Sequence, residues 1–213
     1  GGLFFFGSEC KSVLPHPGFK KELNPDALKL YLTFQYSALN QSFFKGVYRL
    51  LPGHCFLHRD GHTQFASYHA FSFAPENMPL EQRAEQIRAV VAESVKAHQI
   101  SDVEVGSFLS GGIDSSVIAA LSRPDKTYSV GFANKDFDET GEAKALCREL
   151  GLRNISKTIS AEEFFDALPA IQYYADEPNA NLSTVPLYFL SQLAAQDVKV
   201  VLSGEGADEL FGG

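Results

Sequence analysis

The sequence predicts an α/β fold in which a doubly wound, mainly parallel sheet follows a β-rich segment. Three observations carry that expectation. After residue 80, short runs rich in apolar and β-branched residues alternate with helical patterns, the signature of strand–helix–strand units. Two of those runs end in glycine-bearing loops, SGGIDSS at 110–116 and SGEGADE at 203–209. The rhythm before residue 72 is different, with a hairpin signature and a single helix.

Taken in order, residues 3–6, LFFF, read as a buried strand. NPDALKLYLTFQY (24–36) carries a helix start, with Asn24 as N-cap, Pro25 at the first helical position and Asp26 in the first turn. Its aromatic residues are expected in the core. PGHCFLHRDGHTQFASYHAF (52–71) reads as two strands joined at Asp60-Gly61. His54, His58 and His62 recur every four residues, but on a hairpin they do not share one helical face, so the spacing does not predict a zinc site. SFAPENMP (72–79) holds two prolines and little pattern, and is the expected linker.

Leu80–His98 has helical periodicity in Ala84, Ile87, Val91 and Val95. Strands are expected at 103–109, 126–132, 153–159 and 198–202. Helices are expected at 114–121, at 141–150 with Gly151 as C-cap, after the capping box Ser160/Glu163, and at 185–196. EFFDALPAIQYY (163–174) is expected to pack against the sheet. The apolar VKVVL (198–202) is expected at its centre.

The chain has 213 residues, 45% hydrophobic and 21% charged, with net charge −8. That composition suits a globular protein with a core. The negative charge argues against a nucleic-acid backbone as partner, because binding phosphates along a strand needs a basic face. No apolar run approaches the ~18 residues of a membrane span. Cys10, Cys55 and Cys147 are widely spaced without a CxxC pair, which points to reduced thiols and a cytoplasmic setting. The chain opens on Gly1-Gly2 without Met and stops at Gly212-Gly213 directly after a motif, so it reads as part of a longer protein.

The loop SGGIDSS follows an expected strand and opens an expected helix. Gly111 and Gly112 allow close backbone approach, and the amides of Ile113 to Ser116 point outward with the helix dipole behind them. The hydroxyls of Ser110, Ser115 and Ser116 add donors. Asp114 would repel an anion there unless a cation intervenes, and Mg²⁺ bound by a carboxylate and phosphate oxygens resolves the conflict. There is no GxxxxGK[ST] lysine loop. In the second loop, Glu205 lies between glycines and faces the same expected crevice, with Asp208 and Glu209 at a helix start. The plainer alternatives are a tight turn with Asp114 as a cap, and a surface loop whose acids favour a helix N-terminus.

SFLSGGIDSS resembles the pyrophosphate-binding loop of the ATP pyrophosphatase group. VVLSGEGADELFGG (200–213) is similar to the matching segment of glutamine-hydrolysing asparagine synthetases, and FDE (137–139) and DEP (176–178) fit that family. GSECKSVL, LNPDALKLYLTFQYS and FFKGVYRLLPGH resemble the end of its glutaminase domain and the join to its synthetase domain. The resemblance implies three parts: residues 1–71 as the C-terminal part of the glutaminase domain, 72–79 as linker, and 80–213 as the N-terminal part of the synthetase domain. It implies ATP and Mg²⁺, with aspartate and glutamine or ammonia as substrates. Aspartate would be amidated through a β-aspartyl-adenylate, with release of pyrophosphate and AMP.

By the same resemblance, Ser110, Gly111, Gly112, Ser115 and Ser116 hold the pyrophosphate, and Asp114 and Asp208 the metal. Leu109, Val130, Ser203 and Gly204 contact the adenosine or its phosphate. Glu205 accepts a proton from the attacking ammonia. A homodimer is left open. The family's N-terminal cysteine nucleophile has no counterpart among Cys10, Cys55 and Cys147. After LG, where many relatives carry a His-bearing segment, this chain reads LGLRNIS. Two other readings stand beside this one. The first is a related synthetase that adenylates another carboxylate, as β-lactam synthetases and peptide macrolactam cyclases do. The second is a non-catalytic nucleotide-binding module, against which the intact Asp114, Glu205 and Asp208 argue.

Overall fold

A computed structural model of the chain describes residues 4–37, 39–134 and 138–212. It divides into two compact units, Gly1–Glu76 with Pro169–Leu182, and Asn77–Leu168 with Ser183–Gly213.

In the first unit, helix α1 (Pro25–Phe34) begins as its sequence dictates. The Asn24 side chain accepts the amide of Asp26 at 3.2 Å. Asn24 is buried, and its own Nδ2 donates to Gln41 Oε1 at 2.9 Å and to the Ser42 carbonyl at 3.1 Å. One residue thus caps the helix and pins the following loop. Strands β1 (His54–Arg59) and β2 (His62–Ser67) form an antiparallel hairpin. Asp60 (φ 52°) and Gly61 (φ 76°) turn it in the left-handed conformation that a two-residue hairpin requires.

Two expectations fail in this unit. Phe4–Phe6 form no strand and are exposed; Phe4 and Phe6 lie against hairpin rings, Phe4 stacking on the His58 ring at 4.7 Å, and Phe5 packs on His16. Leu3 lies outside the described residues. The aromatic run on α1 is also not uniformly core: Tyr31 packs edge-on against buried Phe43, whereas Phe34 and Tyr36 are exposed.

The second unit starts with α2 (Leu80–His98). Its apolar stripe is covered only toward the C-terminal end, where Val95 is buried; Ala84 and Ile87 are exposed. Then follow β3 (Val105–Phe108), α3 (Ile113–Ser122), β4 (Lys126–Phe132), α4 (Thr140–Leu150), β5 (Arg153–Ile159), α5 (Ala161–Tyr174), α6 (Thr184–Ala194), β6 (Val200–Leu202) and α7 (Ala207–Phe211). Ser160 and Glu163 form the expected capping box of α5, with reciprocal bonds of 2.9 and 3.1 Å. Gly151 closes α4 at φ 69°.

The four strands form a parallel sheet in the order β5-β4-β3-β6. Its two faces hold separate apolar clusters. Leu109, Ala119, Ala143 and Cys147 pack on the side of α3 and α4. Tyr128, Ala194 and Val198 pack with Leu190 and Leu193 on the side of α6. Helices cover both faces, which is the doubly wound arrangement. Gly106 makes the second cluster possible, since a Cβ there would lie 2.7 Å from the Tyr128 ring. Burial and the nearby Asp197 carboxylate push the Tyr128 phenol up to about 12.

The position of β6 corrects an expectation. It pairs with β3 on one side only and is half-buried, so among the described residues it is an edge strand, not a central one. Apolar composition shows that both faces are covered; it does not show which strands flank the edges. In α5, Ala167 and Ile171 are buried but Phe165, Tyr173 and Tyr174 are exposed, so only part of that run packs inward.

Candidate active site

The chain runs β3, β4, β5 in one direction across the sheet and then returns to place β6 on the other side of β3. The order therefore reverses between β3 and β6, and in open α/β sheets a crevice forms beyond the carboxyl ends of strands at that point. The two glycine loops leave those two adjacent ends.

The first loop is held by its own serines. The Ser115 hydroxyl is buried, accepts the Ser110 amide at 3.2 Å and donates to the Gly112 carbonyl at 3.2 Å. Ser110 Oγ lies 3.0 Å from Ser115 Oγ and accepts the Gly112 amide at 3.3 Å. These hydroxyls shape the loop, a role beyond the ligand donation expected of them. The Ser116 amide donates to the Gly112 carbonyl at 3.1 Å and so belongs to the helix ladder. That leaves the amides of Ile113, Asp114 and Ser115 at the open end of α3. Gly111 takes φ 97°, and a Cβ there would press against Glu142 Cβ (3.0 Å) and the Glu139 carbonyl (3.2 Å). Its glycine is required by the first turn of α4. Gly112 has an ordinary extended backbone (φ −68°) and serves as the N-cap of α3.

The second loop packs directly on the first. A Cβ on Gly204 would fall 2.8 Å from the Ser115 amide nitrogen and 2.9 Å from the Asp114 carbonyl carbon. Only glycine lets the two backbones approach this closely. Gly206, at φ 91°, then turns the chain into α7, which carries Asp208 and Glu209 in its first turn.

A crevice of about 360 Å³ lies between the loops. Of the residues expected at the site, Leu109, Ser110, Asp114, Ser115, Val130, Ser203, Gly204, Glu205 and Asp208 line it together. Gly111, Gly112 and Ser116 do not line it. Asp114, Glu205 and Asp208 are exposed. The reading of the sequence missed one wall. Ser183, Pro186, Leu187 and Leu190 come from the start of α6, and Phe108 from the end of β3. Their helical spacing looks like ordinary core, and no local chemistry distinguishes them.

Several other residues find structural partners. In DEP, Asp176 accepts the amides of Cys10 (2.6 Å) and Lys11 (3.4 Å) and pairs with the Lys11 ammonium at 2.6 Å. Glu177 pairs with Arg49. In FDE, Phe137 lies outside the described residues; Asp138 Oδ1 accepts the Thr140 amide at 3.2 Å at the start of α4. Among the described residues no three His, Cys, Asp or Glu side chains cluster as a metal site, and no helix is long and apolar enough to cross a membrane. A larger cavity of about 920 Å³ in the first unit, walled by Phe4, Phe5, Phe6 and Tyr48, is lined by Asp176 and Glu177 of DEP but by none of the residues of the two glycine loops.

The sheet order and the paired loops define a doubly wound α/β domain with a crevice at the strand-order reversal. The family model for asparagine synthase matches residues 86–213, and that for a glutamine amidotransferase domain matches residues 1–69. This chain belongs to the asparagine synthase family. It is similar to the glutamine-hydrolysing asparagine synthetase 1 of Bacillus subtilis, at 41% identity over 98% of this chain and 34% of that protein. It is also similar to the amidase chyE of Penicillium rubens, at 30% identity over 82% of this chain and 30% of that one. The chain thus spans about a third of the length of these curated relatives. Among solved structures, an NH3-dependent NAD synthetase from Campylobacter jejuni superposes with TM-score 0.37 at 23% identity, covering 62% of this chain and 59% of that one. That superposition is too loose to carry an argument.

Proposed function

We propose that this chain is the nucleotide-binding part of a synthetase that makes asparagine from aspartate at the expense of ATP, with nitrogen from glutamine or ammonia. The observation that carries the reading is the contact of Gly204 with the first turn of α3, which brings Asp114, Glu205 and Asp208 to one crevice. The amidotransferase match over residues 1–69 supports glutamine as the nitrogen source. The two family matches support residues 1–71 as glutaminase segment, 72–79 as linker and 80–213 as synthetase segment.

In this reading Leu109, Val130, Ser203 and Gly204 hold the adenosine end of ATP. The free amides at the start of α3 receive the phosphates, in the loop shaped by Ser110, Gly111, Gly112, Ser115 and Ser116. Asp114 and Asp208 fit Mg²⁺, since two carboxylates with water and phosphate oxygens satisfy a hard cation. The ion would supply charge neutralisation of the phosphates. A side-chain oxygen of aspartate attacks the α phosphorus, the bond to the bridging oxygen breaks and pyrophosphate leaves. The ammonia lone pair then attacks the acyl carbon, the acyl–oxygen bond breaks and AMP leaves with its electron pair. Glu205 takes the surplus proton from nitrogen. Net charge −8 supports small-molecule rather than nucleic-acid partners. The three free cysteines fit a cytoplasmic setting, and sedimentation would test for a homodimer.

The deciding experiment incubates the full-length protein with Mg-ATP, ammonium and a panel of carboxylates, and identifies the phosphorus products. AMP and pyrophosphate formed only with aspartate are expected. The same products with another acid would move the substrate to a related amide synthetase. ADP and phosphate, or no turnover with any acid, would overturn the reading.

A further inference from the structure

Leu109 is the last residue before the SGGIDSS loop. It lines the crevice and is almost fully buried. Its backbone is fixed at both polar groups. The Leu109 amide donates to the Tyr128 carbonyl at 2.9 Å, continuing the ladder just past the end of β3. Its carbonyl accepts the Ser129 hydroxyl at 2.6 Å. The Ser129 hydroxyl in turn accepts Asn154 Nδ2 from β5 at 2.9 Å, and the second hydrogen of that amide goes to Thr127 Oγ1 at 3.0 Å. Three strands are thus joined by a buried side-chain relay that ends on the carbonyl where the chain leaves the sheet.

Sheet stability does not account for this arrangement. Asn154 Oδ1 is buried without a hydrogen-bond partner among the described residues. A buried acceptor left unpaired is destabilising, so an apolar pair at these positions would hold the strands together as well. An apolar pair would not orient the Leu109 carbonyl.

We propose that Asn154 and Ser129 are positioning residues for the nucleotide loop. Asn154 orients the Ser129 hydroxyl, which fixes the Leu109 carbonyl and with it the direction in which Ser110 to Gly112 enter the crevice. The inference rests on the crevice binding ATP. Neither side chain touches the nucleotide; they act through Leu109.

The test compares Ser129→Ala and Asn154→Ala with Thr127→Val in the full-length protein. Thr127 lies in the same buried patch, bonded to Asn154 and to the Arg153 carbonyl, but does not reach Leu109. Mg-ATP affinity is measured by calorimetry, KM for ATP and for aspartate by turnover, and Tm by scanning. Ser129→Ala is expected to weaken ATP binding and raise its KM about tenfold, with KM for aspartate and kcat within about threefold of wild type. Asn154→Ala is expected to show a smaller effect of the same kind, and it serves as the measurement should Ser129→Ala fail to fold. Thr127→Val is expected to lower Tm without changing the ATP constants. Loss of ATP affinity in proportion to Tm across all three variants would overturn the proposal. So would unchanged ATP constants in Ser129→Ala. A wild-type protein that does not bind Mg-ATP would remove the nucleotide reading itself, and the proposal with it.

Discussion

Asp176 accepts the backbone amide of Cys10 at 2.6 Å across 166 positions of sequence. The contact caps the short 3₁₀ turn Cys10–Ser12, whose own N-cap, Glu9, makes no side-chain capping bond. Asp176 sits at φ 62°, a left-handed conformation that Asp and Asn tolerate better than most residues. The Lys11 ammonium, 2.6 Å away, completes the node. Within the first unit, a half-buried carboxylate thus ties the 169–182 segment to the turn at Cys10–Ser12.

That node predicts an acid limb in stability. Burial pushes the Asp176 carboxyl up, but hydrogen bonds from the Lys11 side chain and from the Cys10 and Lys11 amides outweigh it and hold it below its ordinary value. A depressed carboxyl contributes stability that is fully present above its unfolded pKa of about 3.9 and is lost as pH falls through the lower folded value. Lys11 is raised, chiefly by its bond to Asp176. Its contribution is fully present below about pH 10.4 and is lost as pH rises through the higher folded value. Asp176→Asn, which suits the same backbone, is expected to cost roughly 1.5–3 kcal/mol at neutral pH. It should also flatten the Tm profile below about pH 4. An acid limb identical to wild type would show that Asp176 is not its source.

Cys10 should react slowly with alkylating reagents. Burial raises its thiol first, and the charges of Asp176 and Glu177 raise it further. Cys55 is exposed on the hairpin. Mass spectrometry after brief iodoacetamide treatment is expected to find Cys55 labelled before Cys10, and Asp176→Asn should speed labelling of Cys10. Faster labelling of Cys10 than of Cys55 in wild type would contradict the described environment.

The second unit was more legible in the sequence than the first, for physical reasons. Lys126–Phe132 and Arg153–Ile159 are bounded by turn residues and flanked by helices with clear caps, so both strands were readable to the residue. The Ser160/Glu163 box and Gly151 were readable because each satisfies a local backbone need. Phe4–Phe6 misled because aromatic runs suit a strand and a surface cluster equally well. The edge position of β6 depends on strand order, which no local pattern encodes. The site was half legible. Glycine and acid spacing marks the two loops, but the wall from Ser183 to Leu190 is supplied by tertiary packing alone. The Asn154–Ser129 relay lay hidden inside strands that read simply as β.

Gly204→Ala tests the contact that assembles the crevice. The added methyl would meet backbone atoms of Asp114 and Ser115 at 2.8–2.9 Å, and backbone cannot rotate away as a side chain would. A stability loss of about 1–3 kcal/mol is expected from the overpacking, together with a raised KM for ATP. Gly206→Ala is a poor control because of its positive φ, whereas Gly141→Ala, with open space around the new Cβ, should be benign. Equal effects at 204 and 141 would mean that the loops do not meet as described.

Asp114→Asn separates a metal role from a structural one. Asp114 is exposed at the first turn of α3, and the Asn24-type capping bond is absent there because Gly112 is the N-cap. Loss of its charge is therefore expected to change Tm by less than about 1 kcal/mol equivalent, through the helix dipole alone. Mg-dependent ATP turnover should fall at least about a hundredfold. Parallel losses of stability and activity would undermine the metal assignment.

Glu205→Gln addresses the second chemical step. Glu205 lines the crevice on a loop whose fold depends on Ser203, Gly204 and Gly206, and its amide, not its carboxylate, makes the local contact to Ser203 Oγ at 3.4 Å. The isosteric amide should keep that loop intact. Adenylation, read as aspartate-dependent exchange of labelled pyrophosphate into ATP, needs no proton acceptor for ammonia and is expected to persist within about threefold. Asparagine formation should drop by about 10²–10⁴, the range for removing a general base. The drop should shrink as pH rises and hydroxide or buffer takes over the proton. If exchange and amide formation fall together, Glu205 acts on the nucleotide or the metal, and the proton passes to another group.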